Sequence, residues 1–316
     1  MKDDKKNYLK YVKDTCLDCS LCTQNCDFLT KYGLDLADFA TREDLAYSCF
    51  LCGRCYEVCP VDLDGREISL IHRKNEGFGM RVGYLTDRGN RRTKNEDSAM
   101  IMPDKRFFML ADGVGGNKAG EIASKTALDA LRDYILDNDI PEAYGKDEMF
   151  LYFEDAVNYV NEVVSELSRE VPEYEGMATT LVFLYIGKDS IYISNIGDSR
   201  VYLINEGQIY QITEDHTYVN DLIKMGVLTA EEARSHSKKN VITRAIGEDA
   251  YSGPDCFSIK YVKDDKILMC TDGLYSELRN EELLNEMMSA SNMDACARAL
   301  VDKAKVHGGN DNISVI

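Results

Sequence analysis

Eight of the eleven cysteines fall into two short runs with the same internal spacing. The runs are Cys16-x2-Cys19-x2-Cys22-x3-Cys26 and Cys49-x2-Cys52-x2-Cys55-x3-Cys59. Four thiolates at this spacing ligate a [4Fe–4S] cluster, and the fourth cysteine of each run commonly ligates the cluster of the other run. We therefore predict two [4Fe–4S] clusters in the first quarter of the chain.

Two other uses of cysteine fit this spacing less well. Zinc ribbons separate their CxxC pairs by roughly 15–20 residues, which is not the arrangement within these runs. Disulfides require an oxidising compartment, and the N-terminal sequence MKDDKKNYLK lacks the apolar segment of a secretory signal. We therefore expect a reducing, cytoplasmic location.

The charge and the length of the apolar stretches exclude two classes of partner. With 37 basic and 55 acidic residues, the chain has a net charge of −18. Binding to a nucleic-acid backbone needs basic patches, so we predict no nucleic-acid partner. The longest apolar stretch, around residues 181–186, is far shorter than the roughly 20 residues that cross a bilayer, so we predict no membrane span.

Acidic residues recur where predicted secondary-structure elements end. Two apolar stretches finish in the same way, as LADG at 110–113 and CTDG at 270–273. Ionising an Asp at the end of a buried strand is costly unless a cation pairs with it. Three further acidic motifs are Asn95-Glu96-Asp97, Gly197-Asp198-Ser199-Arg200 and Asn310-Asp311-Asn312.

Apart from Cys270, which belongs to the strand before Thr271-Asp272-Gly273, these five acidic motifs contain no His and no Cys, so a shared site would favour Mg²⁺ or Mn²⁺ over Zn²⁺. The alternative for each motif taken alone is an ordinary turn, because Asp-Gly and Asn-Asp are common turn sequences. Convergence of all five on one site is the hypothesis that the fold must test.

The hydrophobic pattern predicts the elements that would position these carboxylates. Apolar runs predict strands at 107–111, 180–186, 190–195, 200–204, 209–212 and 266–270. Helical spacing of apolar residues marks 127–135 and 156–167, and Thr229-x-x-Glu232 predicts a capping box. Locally paired strands with helices grouped apart favour an α+β sandwich over a doubly wound parallel sheet. The chain stops at Ile316, which leaves room for only a short last strand.

The cysteine-rich segment has a different pattern. Between the two runs, and again at 66–73, apolar residues lie among charged ones without strand alternation, which favours helices. The Gly-containing stretch at 75–79 predicts a hinge. We therefore expect two domains, a helical cysteine module at 1–78 and a larger domain at 79–316.

The cysteine module resembles the helical dicluster ferredoxin domains of the iron–sulfur subunits of heterodisulfide reductase and succinate dehydrogenase. The resemblance covers roughly residues 10–75 and depends on the cysteines. Pro60 follows the second run, whereas Asp27 follows the first, which departs from the pattern. The resemblance implies two [4Fe–4S] clusters and a redox partner protein.

The rest of the chain contains, in this order, TDRGNRRTKNEDS, ADGVGGNKAGEIAS, MATTLV, NIGDSRVYL, EDHTYVNDLIKMGVLTAEEARSH, NVITRAIG, CTDGLYSEL and GGNDNISVI. From about residue 80 to 316 it resembles the bacterial type 2C (PPM-family) Ser/Thr protein phosphatases. The resemblance implies a four-layer αββα sandwich, phosphoprotein substrates, and hydrolysis by a metal-activated water without a phosphoenzyme.

The resemblance also implies the ligands of two or three Mn²⁺ or Mg²⁺ ions. Asp112 would bridge two ions, one of which would also bind Glu96 and the carbonyl of Gly113. Asp272 and Asp311 would complete the ligands of the other.

The remaining implied roles surround that pair of ions. Asp198 and Asp272 would bind a third, weaker ion, Arg92 would grip the phosphate, and Asp97 would orient the attacking water. Residues 215–244 match a mobile flap beside the catalytic cleft.

No residue is assigned as the acid for the leaving group. Eukaryotic relatives carry a His as the proposed general acid at the position that Val114 occupies here. For His216 and His236 in the flap, and for His72 in the cysteine module, we expect structural or solvated roles.

Two functional hypotheses follow. The first is a metal-dependent phosphoserine/phosphothreonine phosphatase that the iron–sulfur module regulates or localises. The alternative is an electron-transfer subunit carrying an inactive phosphatase-like binding domain. An acidic residue at every metal-ligand position favours the first.

Overall fold

The computed structural model describes residues 2–17, 19–25, 27–41, 59–61, 63, 68, 81–114, 119–140, 144–248 and 251–316. The chain divides into two compact units, one formed within 1–80 together with 100–107, and the other from 81–99 and 108–316. The predicted boundary between 78 and 79 lies outside the described residues and stays a prediction.

The described residues of the first unit's N-terminal segment form four helices. They are α1 (Lys2–Thr15), α2 (Leu21–Asn25), α3 (Asp27–Tyr32) and α4 (Leu36–Phe39). The Asp35 side chain caps α4 by accepting a 2.7 Å hydrogen bond from the Asp38 amide. Leu36, Phe39 and Leu63 are buried. Helix α4 lies where the sequence predicted a helix, whereas the predicted helix at 66–73 lies, apart from Ile68, outside the described residues.

Two β-sheets organise residues 85–316. Their strands are β1 (Leu85–Asp87), β2 (Asp97–Met102), β3 (Phe107–Val114), β4 (Ala178–Thr179), β5 (Leu181–Ile186), β6 (Ser190–Ile196), β7 (Arg200–Asn205), β8 (Gln208–Gln211), β9 (Asp255–Lys260), β10 (Lys266–Cys270) and β11 (Ile313–Val315). One sheet has the order β1-β11-β10-β7-β8, and the other β2-β3-β5-β6-β9 with β4 beside β3. The registers that the described residues define are antiparallel, as an α+β sandwich predicts.

Helices cover these sheets. They are α5 (Gly120–Asp137), α6 (Lys146–Glu170), α7 (Tyr218–Lys224), α8 (Ala230–Ser235), α9 (Asp272–Tyr275), α10 (Asn280–Ser289) and α11 (Met293–His307), with a 3₁₀ turn at Pro172–Tyr174. Helices α5 and α6 pack on each other, and α6 contacts β6 and β9. On the other sheet, apolar residues of α9, α10 and α11 form one buried core with β7, β10 and β11.

The strand that carries the first Asp-Gly pair is longer than predicted. The apolar run predicted a strand ending at Ala111, whereas β3 continues to Val114. The short strand β4 explains the extension, because Gly113 pairs with Thr179 and Val114 with Ala178. Asp112 therefore lies within the hydrogen-bonded end of the strand.

One local prediction agrees with the structure. The Thr229 side chain and Glu232 form the capping box that starts α8. Of the helices in the described part of the chain, none is both long enough and apolar enough to cross a membrane.

Candidate active site

Close backbone contacts, not surface turns, hold the two Asp-Gly pairs. A Cβ atom on Gly113 would lie 2.2 Å from the carbonyl oxygen of Gly120, and one on Gly273 would lie 2.0 Å from that of Asn312. Backbone atoms cannot give way as a side chain can, so both positions require glycine. Another segment of chain is thereby packed directly against Asp112 and Asp272.

Six acidic residues form what we call the carboxylate cluster: Glu96, Asp97, Asp112, Asp198, Asp272 and Asp311. Asp97 and Asp198 are buried, whereas the other four are partly exposed. The cluster therefore has a closed side and a side that a ligand can reach. The structure brings together acidic residues from all five acidic motifs of the sequence.

Burial and mutual repulsion disfavour the ionised forms of these acids. Burial, together with the negative charges of Asp272 and Asp311, raises the pKa of Asp97 to about 7. Burial likewise raises the pKa of Asp272 to about 6, with repulsion from Asp311. For Asp112, burial followed by repulsion from Asp97 raises the pKa well above the usual value. A bound cation would reverse these shifts by stabilising the carboxylates.

Two buried oxygen atoms fit a site for hard cations. Oδ1 of Asp97 and Oδ1 of Asp198 have no hydrogen-bond partner among the residues that the structure describes. A buried acceptor without a donor is costly, and an ion or an ordered water would satisfy it. Carboxylates together with a backbone carbonyl are the ligands that Mg²⁺ and Mn²⁺ prefer.

The acids line a site without closing around one point. In the described ranges, no three His, Cys, Asp or Glu side chains are grouped tightly enough to hold a single ion. Arg92 lies among them, with Nη2 2.7 Å from Asp311 Oδ2 and Nη1 4.0 Å from Glu96 Oε2. The hydrogen bond to Asp311 raises the pKa of this guanidinium. The half-exposed Arg92 therefore marks the open side of the cluster.

Two threonines that sequence analysis did not single out hold the buried side. The Asp112 amide donates a 2.9 Å hydrogen bond to Thr180 Oγ1. Thr271 Oγ1 donates a 2.8 Å bond to Asp97 Oδ2. Both threonines are fully buried; the Thr180 hydroxyl holds the backbone of Asp112, and the Thr271 hydroxyl holds the carboxylate of Asp97. Thr180 lies in the motif MATTLV, where a polar residue beside an apolar run was the only sequence feature that could have indicated a role in the site.

Sequence analysis did not identify Asn312 as a site residue for a different reason, since Asn-Asp sequences are typical of turns. Its Oδ1 accepts a 2.8 Å hydrogen bond from the Glu96 amide. Its Nδ2 donates to the carbonyls of Arg88 and Lys94 at 2.9 and 2.8 Å. One side chain at the end of the chain thus fixes the loop that carries Arg92 and Glu96.

The turn at Gly197–Arg200, which we call the GDSR turn, is held from two sides. Tyr275 donates its hydroxyl to the Asp198 carbonyl at 3.0 Å. The Arg200 guanidinium lies 3.5 Å from the centre of the Tyr275 ring and forms two bonds to Asp215, with Nε–Oδ1 at 2.9 Å and Nη2–Oδ2 at 2.6 Å. Tyr275 was also absent from the sequence-based site.

Residues 215–244, which the family resemblance predicts to be a flap, contain α7 and α8 and close at a narrow base. Thr217 pairs with Ile242, and the Tyr218 amide donates to the Val241 carbonyl at 2.8 Å. We call residues 216–218 and 241–244 the flap neck. His216 is buried at this neck, in agreement with a structural role, whereas His236 is partly exposed and His72 lies outside the described residues.

Four predicted cluster ligands line one pocket in the first unit. They are Cys16, Cys19, Cys22 and Cys59. The Leu63 amide donates a 3.3 Å hydrogen bond to Cys59 Sγ, and burial raises the pKa of the Cys22 thiol. The other four predicted ligands lie outside the described residues: Cys26, Cys49, Cys52 and Cys55.

Known proteins share the larger part of this chain. Residues 90–303 match the family model described as Protein phosphatase 2C. The serine/threonine phosphatase Stp of Listeria welshimeri is 31% identical over 247 residues, covering 75% of this chain and 94% of that protein. The protein phosphatase PhpP of Streptococcus pneumoniae is 34% identical over 239 residues, covering 75% and 96%.

Solved structures give the same result. The catalytic domain of the serine/threonine protein phosphatase PstP, crystallised with two manganese ions, superposes with a TM-score of 0.65 and 34% identity. The match covers 74% of this chain and 95% of that domain. Fold and site thus define a metal-dependent phosphoprotein hydrolase. The chain belongs to the protein phosphatase 2C family and is a serine/threonine protein phosphatase, which confirms the predicted enzyme class.

The raised pKa of Asp97 predicts how stability changes with pH when divalent cations are chelated. A carboxyl with a pKa of about 7 in the folded protein and about 4 in the unfolded chain is protonated more readily when folded. Stability from this group is therefore present at low pH and is lost as the pH rises towards 7. We expect the thermal midpoint to fall by at least about 4 °C between pH 5 and pH 8.

The variant Asp97→Asn is the matched control for this measurement. It cannot ionise, so its midpoint should change less across the same pH range. Added Mn²⁺ should raise the wild-type midpoint more at pH 8 than at pH 5, because cations bind the ionised carboxylates. Equal pH slopes in wild type and variant would contradict the assignment.

Proposed function

We propose that this chain hydrolyses phosphoserine and phosphothreonine esters in proteins, using divalent cations held by the carboxylate cluster. Membership of the protein phosphatase 2C family supports the reaction. The proposal depends on one observation: Asp112, in a strand of one sheet, lies beside Asp272, which follows a strand of the other sheet. Both carboxyl groups have raised pKa values, and the glycine after each makes close backbone contacts. Such a site favours bound cations over bare carboxylates.

The proposed ligands are those that the family resemblance implied. Glu96, Asp112 and the carbonyl of Gly113 would hold one ion, and Asp112, Asp272 and Asp311 the other, which requires the acidic side chains to draw closer together than they lie in this structure. Asp198, with Asp272, would hold a third and weaker ion, which its unpartnered buried oxygen supports. The PstP domain with two manganese ions supports Mn²⁺ as the metal, with Mg²⁺ as the alternative.

The chain's own residues would bind the phosphate and orient the nucleophile. Divalent cations at such a site supply an activated water and shield the phosphoryl oxygens. Arg92, on the open side of the cluster, would donate two charge-assisted hydrogen bonds to the phosphate. Asp97, whose Oδ1 is unpartnered, would accept a hydrogen bond from the attacking water. Val114 has no proton to donate, so solvent would protonate the leaving oxygen.

The proposal extends to the cysteine pocket, which we assign to a [4Fe–4S] cluster. The three described cysteines of the first run meet the last cysteine of the second, as crossed ligation requires. Each cysteine of such a cluster binds a different iron, so the thiols need not converge as they would around one ion. The Leu63 amide bond to Cys59 Sγ is a contact that tunes such clusters. Cys26, Cys49, Cys52 and Cys55 would hold the second cluster.

The proposed role of the clusters is to regulate the phosphatase or to localise it on a redox partner protein in the cytoplasm. The seven cysteines in the described ranges form no disulfide, which suits a reducing compartment. The alternative, an electron-transfer subunit with an inactive phosphatase domain, is not favoured, because every proposed ligand position carries its acid.

Removing one proposed ligand should abolish turnover. In anaerobically purified protein with Mn²⁺, Asp272→Ala should slow hydrolysis of a phosphothreonine peptide at least about a hundredfold, because two of the three proposed ion positions lose a ligand. Asp302→Ala, an exposed aspartate on α11, serves as the matched control and should match wild type. Equally negligible turnover in wild type and Asp272→Ala would remove the phosphatase proposal.

Iron analysis tests the cysteine assignment independently of phosphatase activity. Anaerobic wild-type protein should contain about eight iron and eight sulfide per chain, as two clusters require. Cys59→Ala should lose roughly half of that iron, whereas Cys256→Ala should lose none. Absence of sulfide from the wild-type protein would overturn the assignment.

Regulation and localisation predict different effects of reduction. If the clusters regulate the enzyme, dithionite-reduced and oxidised wild-type protein should hydrolyse the phosphothreonine peptide at different rates. Cys52→Ala should remove that difference. Unchanged rates in all samples would leave localisation as the proposed role.

A further inference from the structure

His216 makes contacts that the proposed reaction does not explain. The side chain is only 2% exposed, although it lies at the start of a surface flap. Its Nδ1 accepts a 3.1 Å hydrogen bond from the Gly197 amide, and its own amide donates a 3.0 Å bond to the Gly197 carbonyl. Both polar groups of Gly197 are therefore satisfied by one residue.

These contacts fix the tautomer of the imidazole. An amide N–H can only donate, so Nδ1 must be the unprotonated nitrogen. The proton is then on Nε2, which lies 3.0 Å from Asp255 Oδ2 and donates to it. The ring is thus oriented from both ends, by a donor on the GDSR turn and by an acceptor on β9.

Asp255 binds side chains from both segments of the flap neck. Its Oδ2 faces His216, and its Oδ1 accepts a 2.7 Å bond from Nη1 of Arg244. The backbone closes the same neck, since the Thr243 amide donates to the His216 carbonyl at 2.8 Å. The imidazole and the backbone amide of His216 therefore both connect the flap neck to the GDSR turn.

The GDSR turn needs such support. Gly197 has a φ of +102°, and a Cβ atom there would lie 2.5 Å from Thr180 Cγ2. The next residue is Asp198, with its buried and unpartnered Oδ1. A small rotation of the Gly197–Asp198 peptide would redirect that oxygen.

We propose that His216 is a positioning residue, which holds the Gly197–Asp198 peptide so that Asp198 can bind a cation, and which through Asp255 ties that ligand to the base of the flap. This inference rests on the proposed role of Asp198 as the ligand of the weaker third ion. It adds the prediction that changes at the flap neck alter cation binding at Asp198 from outside the carboxylate cluster.

Two substitutions separate the two nitrogen atoms of His216. Asn places its amide oxygen near the position of Nδ1 and preserves the acceptor for Gly197. Gln places its amide group near Nε2 and preserves the contact with Asp255 but not the acceptor. His236→Gln, at a partly exposed position in the same flap, is the matched control.

Calorimetric titration of the chelated full-length protein with Mn²⁺ measures the weakest binding event directly. Asp198→Ala should lose that event, and His216→Gln should weaken it roughly tenfold, the equivalent of one buried hydrogen bond. His216→Asn and His236→Gln should stay within about threefold of wild type. Asp255→Asn, at a more exposed position, should weaken binding in the same direction and keeps the test usable if His216→Gln does not fold.

Amide hydrogen exchange at Gly197 gives a second readout that does not involve activity. Exchange there should be faster in His216→Gln than in His216→Asn. A wild-type isotherm in His216→Gln and in Asp255→Asn would overturn this inference and leave the proposed function intact. A wild-type isotherm in Asp198→Ala would overturn the proposed ligand role of Asp198 and, with it, the inference. Lower thermal midpoints in both His216 variants with unchanged Mn²⁺ affinity would show a merely structural role.

Discussion

Repulsion among buried carboxylates is the constraint on which the structure of the second unit depends. Burial raises the pKa values of Asp97, Asp112, Asp198 and Asp272, and the negative charge of Asp272 raises those of the other three further. Left to itself, such a group would separate or protonate. Close backbone contacts at Gly113 and Gly273, the Thr271 hydroxyl that donates to Asp97, and the Asn312 oxygen that accepts from the Glu96 amide keep it together. The fold therefore stores an arrangement that becomes favourable when cations bind.

The hydrogen-bond partners that hold this arrangement come from distant parts of the chain. Asn312 and the Glu96 amide are 216 positions apart, and Thr271 and Asp97 are 174 apart. Contacts at such separation exist only after both sheets have formed, because loop closure precedes them. The site is thus a consequence of the complete sandwich. The GDSR turn follows the same rule, since it depends on Tyr275 and His216 from two other segments.

Sequence analysis located the acids better than the groups that hold them. A charged residue after an apolar run is unusual enough to be noticed, so the motifs containing Asp112 and Asp272 can be found without any knowledge of the fold. Thr180, Thr271 and Tyr275 lie in or beside apolar stretches, where nothing in the sequence shows that a hydroxyl bonds the backbone or the carboxylate of an acidic residue. The end of β3 was placed three residues early, because the pairing with β4 involves a segment more than sixty residues away. Cysteine spacing is visible without a fold; four of the eight cysteines in the two runs line one pocket, and the iron–sulfur clusters stay a prediction.

The two proposed metal sites use donors of opposite chemical character. Thiolates in the first unit select soft or borderline metals such as iron in clusters, whereas carboxylates and a carbonyl in the second select hard cations. If the cysteines hold iron as proposed, any influence of that iron on phosphate hydrolysis would pass through protein conformation or through a partner, because the cysteines supply none of the proposed ligands of the carboxylate cluster. Within the second unit, the flap neck shows that a contact outside the carboxylate cluster can reach a proposed ligand through one side chain.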